Sequence, residues 1–557
     1  MIIIRNYFID KVERNPSEKL AFIELNNYIE TSSLTYGEIV KRAKKMSEYL
    51  DKHNLQYSVA VVYLPASIDL SVVILACLYS KITLIFKTIS DEFDYKKINY
   101  QFSELLDNIK EIDLIITDKN RLLIKENCKK NNKNFFCISN YKYNYLKYLP
   151  NRDKKISDFI LITSGTSSIF KAIKANINSF KYGLDKSRYK WKINDLSVTL
   201  TWTPHSHIYE LINGFLLPMY TGSTSVIVSP KDFVNNPVEW LRLIYKYKVT
   251  NCYVTSYGID LCNKAYNEYD INIDKDNLNF KSLKYMTISG EFVRSEVLQC
   301  FNKIYSKFGF CQKSFSPTYG MTENCGFVCS HTENNGALIV RLNSEFLKYG
   351  NILEDNTING VKVVSAGKKE KDSHIYIIDE NNNILNSGKV GEIVINSSGL
   401  AKEYFNLKSK ENFVKLECLD DGKNRVFFKT GDYGGFFKER LLIIGRKKEI
   451  INVKGKKYSP YEIEYIASKY SSYKIKTIVA FSIEIEFDEK VIIFVEVNKF
   501  DIKNQENIKL EVRKSLKEII NLDIYDIVIM EFGKIPRTDS KKIKRKDCIE
   551  LYKDFIK

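Results

Sequence analysis

Hydroxyl, glycine and lysine side chains follow an apolar, strand-like run at residues 161–172, LITSGTSSIFKA. A strand that ends in consecutive Thr, Ser and Gly residues can present backbone N–H groups and hydroxyls to phosphate oxygens, and Lys171 would add positive charge. The GxxxxGK(S/T) spacing of a Walker A loop is absent from this stretch. Taken alone, it leaves two interpretations open: a phosphate-binding loop and a polar surface turn.

Three further stretches carry side chains whose types could take part in chemistry. They are an aromatic, hydroxyl and carboxylate series, a turn with a central aspartate, and a lysine-rich segment: SPTYGMTE (316–323), FFKTGDYG (427–434) and IPRTDSKKIKRK (535–546). A glutamate carboxylate suits Mg²⁺, a hard cation that prefers oxygen ligands. Each stretch alone also has an ordinary explanation, because YG can end a strand, GD can form a turn and lysines can cover a solvated face. Their weight therefore depends on their occurring together in one fold.

The elements that would position these groups alternate between helices and strands. Apolar residues recur at helical spacing in LTYGEIVKRAKKMSEYLDK (34–52), and VAVVYLP (59–65) has the continuous apolar character of a buried strand. The same alternation returns in TSVIVS (224–229) and NPVEWLRLIYKYKV (236–249). This pattern predicts an α/β fold of layered subdomains with a largely parallel sheet.

The character of the sequence changes at about Val361. Short strand-like runs separated by Gly and Asn turns, such as HIYIIDENNNIL (374–385), predict a β-rich subdomain. After LLIIGRKKEIINVKG (441–455) a smaller α/β segment runs to the end. We predict a large N-terminal domain at 1–446, with its β-rich part at about 361–446, and a small C-terminal domain at 447–557.

The chain carries a large positive charge. Lys and Arg number 85 against 68 Asp and Glu, which gives a formal net charge of +17. Such a charge favours acidic partners such as nucleic acid, an anionic membrane or an acidic carrier protein. The excess is spread through a chain rich in Lys, Asn, Ile and Tyr, and no recognition-helix or RNA-binding signature accompanies it. We therefore predict no nucleic-acid partner.

Cysteine usage favours a reducing compartment. The eleven cysteines show no repeated CxxC spacing, which is typical of reduced thiols in a core rather than of a disulfide framework. In CGFVCSH, the residues Cys325, Cys329 and His331 could bind a metal. No fourth ligand is evident, and the alternating pattern also fits a buried strand.

No stretch has the character of a signal peptide or a membrane span. The first residues form only a very short apolar run before charges follow. The longest apolar region, residues 58–86, is interrupted by Pro65, Asp69 and Lys81, which favours buried strand and helix. We predict a cytoplasmic protein without a transmembrane segment.

Taken in order, these stretches resemble the motifs of the adenylate-forming superfamily, which comprises acyl-CoA synthetases, luciferases and adenylation domains of peptide synthetases. LITSGTSSIFKA is similar to the phosphate loop TSGTTGxPKG, SPTYGMTE to YGxTE and FFKTGDYG to the TGD element. GRKKEIINVKGKKYSPYEIE (445–464) resembles the element at the domain junction, and IPRTDSKKIKRK resembles the terminal PRTxSGK motif. Five motifs in the family's order, from Thr163 to Lys542, are hard to ascribe to chance.

The resemblance implies ATP and Mg²⁺ as cofactors and assigns roles around the nucleotide. Tyr319 would face adenine, Thr322 would lie near the α-phosphate, and Glu323 would hold Mg²⁺. The residues expected to hold the phosphates are Thr163, Ser164, Gly165, Thr166, Ser167 and Lys171, and those expected to border adenine are Ser289, Gly290 and Glu291.

Four further roles follow from the resemblance to the motifs nearer the C-terminus. Asp432 would accept hydrogen bonds from both ribose hydroxyls, and Arg446 would lie near the ribose. Lys448 would be the hinge of a mobile C-terminal domain. Lys542 occupies the position of the adenylation lysine.

This sequence departs from the family pattern in the phosphate loop, after WxP and before the adenylation lysine. His207 is expected to line the carboxylate end of the pocket, but a second histidine, His205, makes this assignment ambiguous, and a histidine satisfied by neighbouring backbone is an equal alternative. The positions that differ from the pattern are Ser168, Phe170, Ala172, Ile208, Glu210 and Lys541.

Within the superfamily, residues 201–262 look most like the fatty acyl-AMP ligases, with which they share WxPxxH, PxYxG and the following SPxxFxxxPxxWL pattern. IVRLNSEFLKYGNIL (339–353) resembles the insertion that braces the C-terminal domain in those ligases and disfavours free CoA; an ordinary surface excursion is the alternative. TWTPHSH offers no acid to pair with a substrate ammonium, which favours an apolar acyl chain.

The resemblance implies activation of a fatty acid to acyl-AMP with release of pyrophosphate. Rotation about Lys448 would then remove Lys542 and admit the phosphopantetheine thiol of an acyl carrier protein. One alternative is an acyl-CoA or aryl-CoA synthetase that uses free CoA. An alternative of another class is a nucleotide-binding interaction protein that has lost catalysis.

Overall fold

The computed structural model describes most of the chain, and within these parts every helix is too short or too polar to span a bilayer. The described residues are 7–87, 95–119, 121–139, 142–144, 158–162, 171–268, 278–331, 336–355, 357, 360–370, 372–401, 412–485, 488–537 and 542–555.

The chain divides into two compact units. Unit 1 comprises Met1–Gly165, Ile169–Ala337 and Ser397–Ser409, and unit 2 comprises Thr166–Ser168, Leu338–Asn396 and Lys410–Lys557. The predicted boundary between residues 446 and 447 falls inside unit 2. The predicted boundary marks the position of a hinge, whereas the two units are defined by their internal contacts. The boundary therefore stays a prediction.

One sheet of unit 1 is mostly parallel. Strands and helices are numbered separately in chain order, and this sheet contains β1 (Leu20–Asn26), β2 (Ile29–Thr35), β10 (Val198–Thr201), β11 (Thr224–Ile227), β12 (Asn251–Val254), β13 (Tyr285–Ile288), β14 (Phe315–Met321) and β15 (Gly326–Ser330). Their spatial order is β15-β14-β13-β12-β10-β11-β1-β2, and all pairs from β14 to β1 are parallel. Strands β11, β12 and β13 are buried throughout, as expected for central strands of a parallel sheet that is covered on both faces.

A second sheet of unit 1 has the order β7-β6-β5-β3-β4-β8-β9, with parallel pairs from β6 to β8. Its strands are β3 (Val59–Tyr63), β4 (Thr83–Phe86), β5 (Ile112–Thr117), β6 (Asn134–Cys137), β7 (Lys142–Asn144), β8 (Phe159–Ile162) and β9 (Ala172–Ala175). The predicted α/β class with a largely parallel sheet is therefore confirmed.

Several helices of unit 1 begin after a residue whose side chain caps the first turn. The Thr35 hydroxyl accepts from the Glu38 N–H while the Glu38 carboxylate accepts from the Thr35 N–H, a capping box at the start of the second helix. The helices are α1 (Tyr7–Glu13), α2 (Tyr36–Lys52), α3 (Ile68–Tyr79), α4 (Tyr95–Asn108), α5 (Leu122–Lys130), α6 (Ile177–Lys190), α7 (Ile208–Glu210), α8 (Leu217–Thr221), α9 (Pro230–Asn235), α10 (Pro237–Lys246), α11 (Ser256–Glu268) and α12 (Ser295–Tyr305), with a π-helical turn at Leu211–Leu216.

Helix α3 forms the core of unit 1. It contacts β4 of one sheet and both β1 and β2 of the other, so it lies between the two sheets. Nearly all of its side chains are buried, including those of Val73, Ile74 and Leu75. A helix that is apolar on all sides needs such a position, because no face of it suits water.

Unit 2 begins with a mostly antiparallel sheet in the order β18-β19-β21-β22-β17, with β16 paired to β17 and β20 to β21. Its elements are β16 (Ile339–Leu342), α13 (Ser344–Lys348), β17 (Val361–Lys369), β18 (Ser373–Ile378), β19 (Gly391–Ser397), β20 (Phe413–Glu417), β21 (Asn424–Phe437) and β22 (Arg440–Arg446). The β-rich part predicted from about Val361 thus starts earlier, at Ile339.

The C-terminal part of unit 2 is a small α/β arrangement around a three-stranded sheet in the order β25-β26-β27. Its elements are β23 (Ile451–Val453), β24 (Lys456–Tyr458), α14 (Pro460–Lys469), β25 (Ile475–Ile485), β26 (Asp488–Val497), α15 (Gln505–Ile520), β27 (Asp526–Glu531) and α16 (Arg545–Phe555). Helices α14 and α15 pack with one face of the sheet, as the buried cluster of Ile463, Ile493, Val495 and Val512 shows.

Candidate active site

Several predicted site residues follow adjacent parallel strands of unit 1. Strands β10, β12, β13 and β14 are neighbours and run in the same direction, so their carboxyl ends lie at one edge of the sheet. His207 follows β10, Ser289 follows β13, and Tyr319 lies near the end of β14. The Tyr209 hydroxyl donates to the Thr287 carbonyl (2.8 Å) and ties the first segment to β13. Ligands of open α/β sheets bind at such an edge.

The end of β14 and the turn that follows it hold the predicted Tyr319, Thr322 and Glu323, all half-buried. Thr322 and Glu323 belong to a short 3₁₀ turn, and the Glu323 carbonyl accepts from the Ala401 N–H (2.7 Å). A Cβ at Gly320 would lie 2.7 Å from the Gly326 carbonyl oxygen. Glycine at 320 therefore allows the close strand approach that fixes the direction of this turn.

The loop after β13 holds the predicted Ser289, Gly290 and Glu291. Ser289 is buried, and its N–H donates to the Val254 carbonyl of β12 (3.3 Å). Gly290 has a φ of +88°, a conformation that favours glycine. The Glu291 carboxylate accepts from the Tyr257 N–H in the first turn of α11. Its side chain thus caps a helix, and its predicted role at adenine concerns the backbone.

The structure separates the two candidate histidines. His205 is buried, burial lowers its pKa to about 4, and its Nε2 has no hydrogen-bond partner among the described residues. His207 is half-buried, and its Nδ1 accepts from the Tyr209 N–H (3.3 Å) at the start of α7. His205 is therefore a neutral core residue at neutral pH, and His207 is the more accessible of the two.

Glu210, which the sequence marked only as a departure from the family glycine, is a buried acid. The hydroxyls of Thr201 and Thr203 donate to its two carboxyl oxygens, the second at 2.6 Å. A Cβ at Gly214 would collide with the Glu210 carboxyl group. Burial raises the pKa of Glu210 to about 7, and the threonine hydroxyls oppose this only in part.

We expect Glu210→Gln to stabilise the protein at alkaline pH. The carboxyl pKa is about 7 in the folded chain and 4.5 in its unperturbed state, so the folded state binds more protons between these values. The free energy of unfolding of the wild type should then fall by about 3 kcal/mol as pH rises through this window. The neutral amide loses none of this stability, which urea unfolding at pH 5 and pH 8 would measure.

The matched control for this variant is Glu18→Gln, because Glu18 is exposed. It should follow the wild-type pH profile. Equal pH dependence of Glu210→Gln and the wild type would contradict the assignment of a neutral buried acid.

The predicted phosphate loop is only partly described. Thr163, Ser164, Gly165, Thr166 and Ser167 lie outside the described residues, as do the departures Ser168 and Phe170. The strand predicted before the loop is β8, and Ile162 at its end pairs with Ala172 of β9. Lys171, half-buried, directly precedes β9, so both ends of the loop are held in one antiparallel pair.

Unit 2 brings together the predicted Asp432 and Arg446. The two residues are opposite each other on β21 and β22, and Nε of Arg446 lies 3.0 Å from Oδ1 of Asp432. The Asp432 N–H donates to the Thr430 hydroxyl, which donates to the Ile393 carbonyl (2.8 Å). Asp432 is buried and Arg446 exposed. A carboxylate fixed in this way is suited to accept hydrogen bonds from vicinal hydroxyls.

The predicted hinge lies directly after this pair. Lys448 is exposed within a 3₁₀ turn at Lys447–Glu449. The Glu449 carboxylate lies 3.3 Å from Nε of Arg545, the first residue of α16, and the Arg545 guanidinium lies over the Tyr461 ring. The turn is thus connected to the C-terminal helix by a partly buried ion pair, while Lys448 itself faces solvent.

The predicted adenylation lysine lies between two anchored segments. Lys542 is half-buried, and the preceding residues 538–541, including Lys541, lie outside the described residues. Arg537 and Ile543 form an isolated antiparallel bridge. The base of this lysine loop is therefore closed like a hairpin.

Residues 339–353, the predicted insertion, pack onto the C-terminal part of unit 2. Lys348 at the end of α13 has a side chain that is 1% exposed, and its Nζ donates to the Ile520 carbonyl at the end of α15 (2.9 Å). The Ser344 hydroxyl donates to the buried Glu462 carboxylate of α14 (2.9 Å). The alternative of an ordinary surface loop is wrong, because the insertion is held to the C-terminal part by the buried Lys348 ammonium and by Ser344.

The metal interpretation of CGFVCSH has no structural support. Cys325 directly precedes the buried strand β15, and Cys329 lies within it, as the alternating pattern indicated. Among the described residues, the group of potential metal ligands with converging donor atoms is instead His374, Cys418 and Asp420. There the His374 Nδ1 already forms a hydrogen bond with Asp420 (2.8 Å).

Comparisons with known proteins agree with this architecture. The family model described as AMP-binding enzyme matches residues 8–405. The chain is 24% identical over 558 residues to the medium-chain-fatty-acid (acyl-carrier-protein) ligase JamA of Moorena producens, covering 94% of this chain and 90% of that protein. A solved structure from a study of fatty acyl-adenylate ligases of E. coli and L. pneumophila has a TM-score of 0.85 at 21% identity, covering 99% and 98% of the two chains. The L. pneumophila ligase in complex with acyl adenylate and pyrophosphate has a TM-score of 0.70 at 24% identity, covering 99% and 97%.

Proposed function

This chain belongs to the AMP-binding enzyme family, and from this we propose that it activates a fatty acid as acyl-AMP, releases pyrophosphate and transfers the acyl group to an acyl carrier protein. The acceptor is the thiol of the carrier's phosphopantetheine arm. The observation that carries the proposal is the gathering of the predicted groups at the carboxyl ends of β10, β13 and β14. The similarity to JamA over almost the whole of both chains supports the substrate and the carrier.

In the first step, a carboxylate oxygen of the fatty acid attacks the α-phosphorus of ATP. A bond forms between the carboxylate oxygen and the α-phosphorus. The bond between the α-phosphorus and the oxygen that bridges it to the β-phosphate breaks, and pyrophosphate leaves. Lys542 places a positive charge at the carboxylate and α-phosphate, and Thr322 donates a hydrogen bond there. Positioning and charge neutralisation account for most of the rate in such phosphorus-centred displacements.

In this proposal, residues of the predicted motifs hold the nucleotide. Asp432 accepts from the ribose hydroxyls, Arg446 orients Asp432, and Tyr319 packs on adenine. Residues 163–171 bind the β- and γ-phosphates, and the backbone of 289–291 borders adenine. The half-buried Glu323 carboxylate offers the hard oxygen donors that Mg²⁺ prefers, and a Mg²⁺ ion bound there would neutralise phosphate charge.

In the second step, the phosphopantetheine thiol loses its proton to water and attacks the acyl carbonyl. A carbon–sulfur bond forms, the bond from the acyl carbon to the phosphate oxygen breaks, and AMP leaves with the bonding electrons. His207 borders the carboxylate end of the acyl site. Rotation of the segment after Lys448 withdraws Lys542 before the thiol enters. A carrier protein is acidic, and the net charge of +17 would speed its association.

The insertion supports a carrier protein rather than free CoA as the acceptor. Lys348 and Ser344 connect α13 to α15 and α14, so the insertion restrains the C-terminal part of unit 2. Because it is restrained, the C-terminal part adopts fewer orientations that could admit a thiol. A carrier protein can add binding through its own surface, whereas free CoA has no such surface.

We expect Lys348→Met to let the enzyme use free CoA. Methionine keeps the apolar stem but leaves the Ile520 carbonyl without its cation, so the insertion should detach from α15. Acyl-CoA should become a major product in mass spectra, whereas the wild type should give little of it, and acyl-AMP formation should continue. Lys368→Met is the matched control, because Lys368 pairs with Glu439 at the surface. Detachment shown by hydrogen exchange at α13 without any acyl-CoA would contradict this role of the insertion.

We also propose a cytoplasmic location. All eleven cysteines are free, and most are buried, which suits a compartment that keeps thiols reduced.

The proposed activity is tested by pyrophosphate release from MgATP with a series of fatty acids of increasing length. Release that depends on a fatty acid, with acyl-AMP in the products, supports the proposal and reports the preferred chain length. Absence of adenylate with fatty, aryl and amino acids would favour a nucleotide-binding protein without catalysis.

A further inference from the structure

Glu496 is a fully buried carboxylate on the central strand of the C-terminal sheet. It belongs to β26, which pairs with β25 on one side and β27 on the other, and its side chain is 0% exposed. Its register partner on β25 is Thr477. A carboxylate in this position is costly unless hydrogen bonds and a cation compensate for the lost water.

The partners of Glu496 all belong to the segment that leads to the lysine loop. Its Oε1 accepts from the N–H groups of Gly533 (3.0 Å) and Ile535 (2.8 Å). Its Oε2 accepts from the Arg537 guanidinium (3.1 Å), which also donates to the Thr477 hydroxyl (2.8 Å). One side chain thus fixes alternate residues of the chain that runs from the end of β27 toward residue 538.

The segment that returns from the loop is fixed to the same base. The Lys544 N–H donates to the Pro536 carbonyl (3.0 Å), next to the bridge between Arg537 and Ile543. Ile535 is buried in a cluster with Tyr552 of α16, and Ile543 packs against that cluster. Glu496 therefore holds residues 533–537, which lead to the loop. These residues in turn hold residues 543–544, which directly follow Lys542.

We infer that Glu496 is a positioning residue for the adenylation step, which acts by holding the base of the loop that carries Lys542. This inference rests on the proposed function. Glu496 is buried and acts through Arg537 and the backbone rather than on the substrate. Because Lys542 is used only in the first step, a loosened base should impair adenylation and leave thioester formation intact.

A carboxylate is suited to this task where a neutral side chain is not. All three of its contacts are hydrogen-bond donors, two backbone N–H groups and a guanidinium. A glutamine offers one acceptor oxygen, and its NH₂ group would face donors at the other. Glu496→Gln therefore keeps the volume of the side chain and removes the contact with Arg537 or with the backbone.

The test measures the two half-reactions separately in the full chain. We expect Glu496→Gln to lower the rate of acyl-AMP formation by about 10- to 100-fold, the size that misplacement of a catalytic group by about 1 Å produces. Transfer from preformed acyl-AMP to a phosphopantetheinylated carrier should keep the wild-type rate. Hydrogen exchange of the Gly533 and Ile535 amides should accelerate, which reports the loosened base directly.

A matched control distinguishes positioning from general loss of stability. Asp526→Asn weakens the same sheet at the other end of β27, where Asp526 accepts from the Tyr552 hydroxyl (2.9 Å), and should leave the ratio of the two half-reactions unchanged. Thr477→Val removes one acceptor of Arg537 and serves as a second, milder variant if Glu496→Gln yields no folded protein. It should lower adenylation selectively, to a smaller degree.

Two results would overturn the inference. One is equal loss of both half-reactions in Glu496→Gln or Thr477→Val, and the other is full adenylation in spite of accelerated exchange at Gly533 and Ile535. Failure of the proposed function is recognised separately, because the wild type itself would then form no acyl-AMP.

Discussion

Replacement of Lys542 by alanine is expected to lower acyl-AMP formation by about 10²- to 10³-fold, the usual cost of removing one preorganised group that stabilises charge in a transition state. Transfer from preformed acyl-AMP should remain. In the first step, the Lys542 ammonium neutralises charge on the attacking carboxylate and the α-phosphate. The second step takes place after the lysine has withdrawn. The lysine therefore affects one half-reaction and not the other.

The measurement is single-turnover formation of acyl-AMP and, separately, of acyl-carrier thioester, each by mass spectrometry. Lys544→Ala is the matched control, since Lys544 follows by two residues and its Nζ pairs with Asp547 (3.4 Å) in α16. It should leave both half-reactions near the wild-type rate. Equal loss of both half-reactions in Lys542→Ala would contradict the assignment of alternating C-terminal orientations.

Replacement of Asp432 by asparagine is expected to impair both half-reactions. ATP and acyl-AMP share the ribose, so loss of the charged acceptor weakens both complexes. Hydrogen bonds to charged groups contribute about 1.5–3 kcal/mol each, which corresponds to a decrease of about 10- to 100-fold in kcat/KM for ATP. The exposed Arg446 also loses its ion pair of 3.0 Å.

Steady-state kinetics with varied ATP, and transfer from varied acyl-AMP, check this expectation. Asp420→Asn removes a carboxylate from the exposed surface of the same unit and is the matched control. Unchanged KM for ATP in Asp432→Asn would exclude Asp432 from the ribose site. The contrast with Lys542→Ala, which affects one step only, makes the two variants a joint test.

The sequence predicts the secondary structure of unit 1 well because its strands and helices are apolar in distinct patterns. Strand β3 is a continuous buried run, and α2 carries apolar residues on one face behind a capping box. Such signals are local, and no tertiary contact is needed to see them. The parallel arrangement follows from the alternation of these elements.

The extent of unit 2 could not be predicted from local signals. The β-rich part begins at Ile339. There β16, the first element of the insertion, pairs with β17. The insertion joins the C-terminal part through Lys348 and Ile520, which are 172 residues apart in the chain. Contacts of that separation leave no periodicity in the sequence.

The buried acids were missed for the same reason. In the sequence, Glu210 was noted only as a departure from the family glycine. Nothing marked Glu462 or Glu496, because a glutamate normally faces water. Glu496 is buried by a segment 37 to 41 residues away. A charged residue at an inward position of a buried strand, followed by an arginine in a nearby loop, is the signal that would have pointed to it.

The central claim is that this protein transfers an activated fatty acid to a carrier protein, and the most direct measurement is mass spectrometry of the intact carrier. The protein, MgATP and fatty acids would be mixed with a phosphopantetheinylated carrier and an equal concentration of free CoA. The account predicts acyl-carrier thioester with little acyl-CoA. Rapid formation of acyl-CoA, with the carrier left unmodified, would contradict it and identify a CoA ligase.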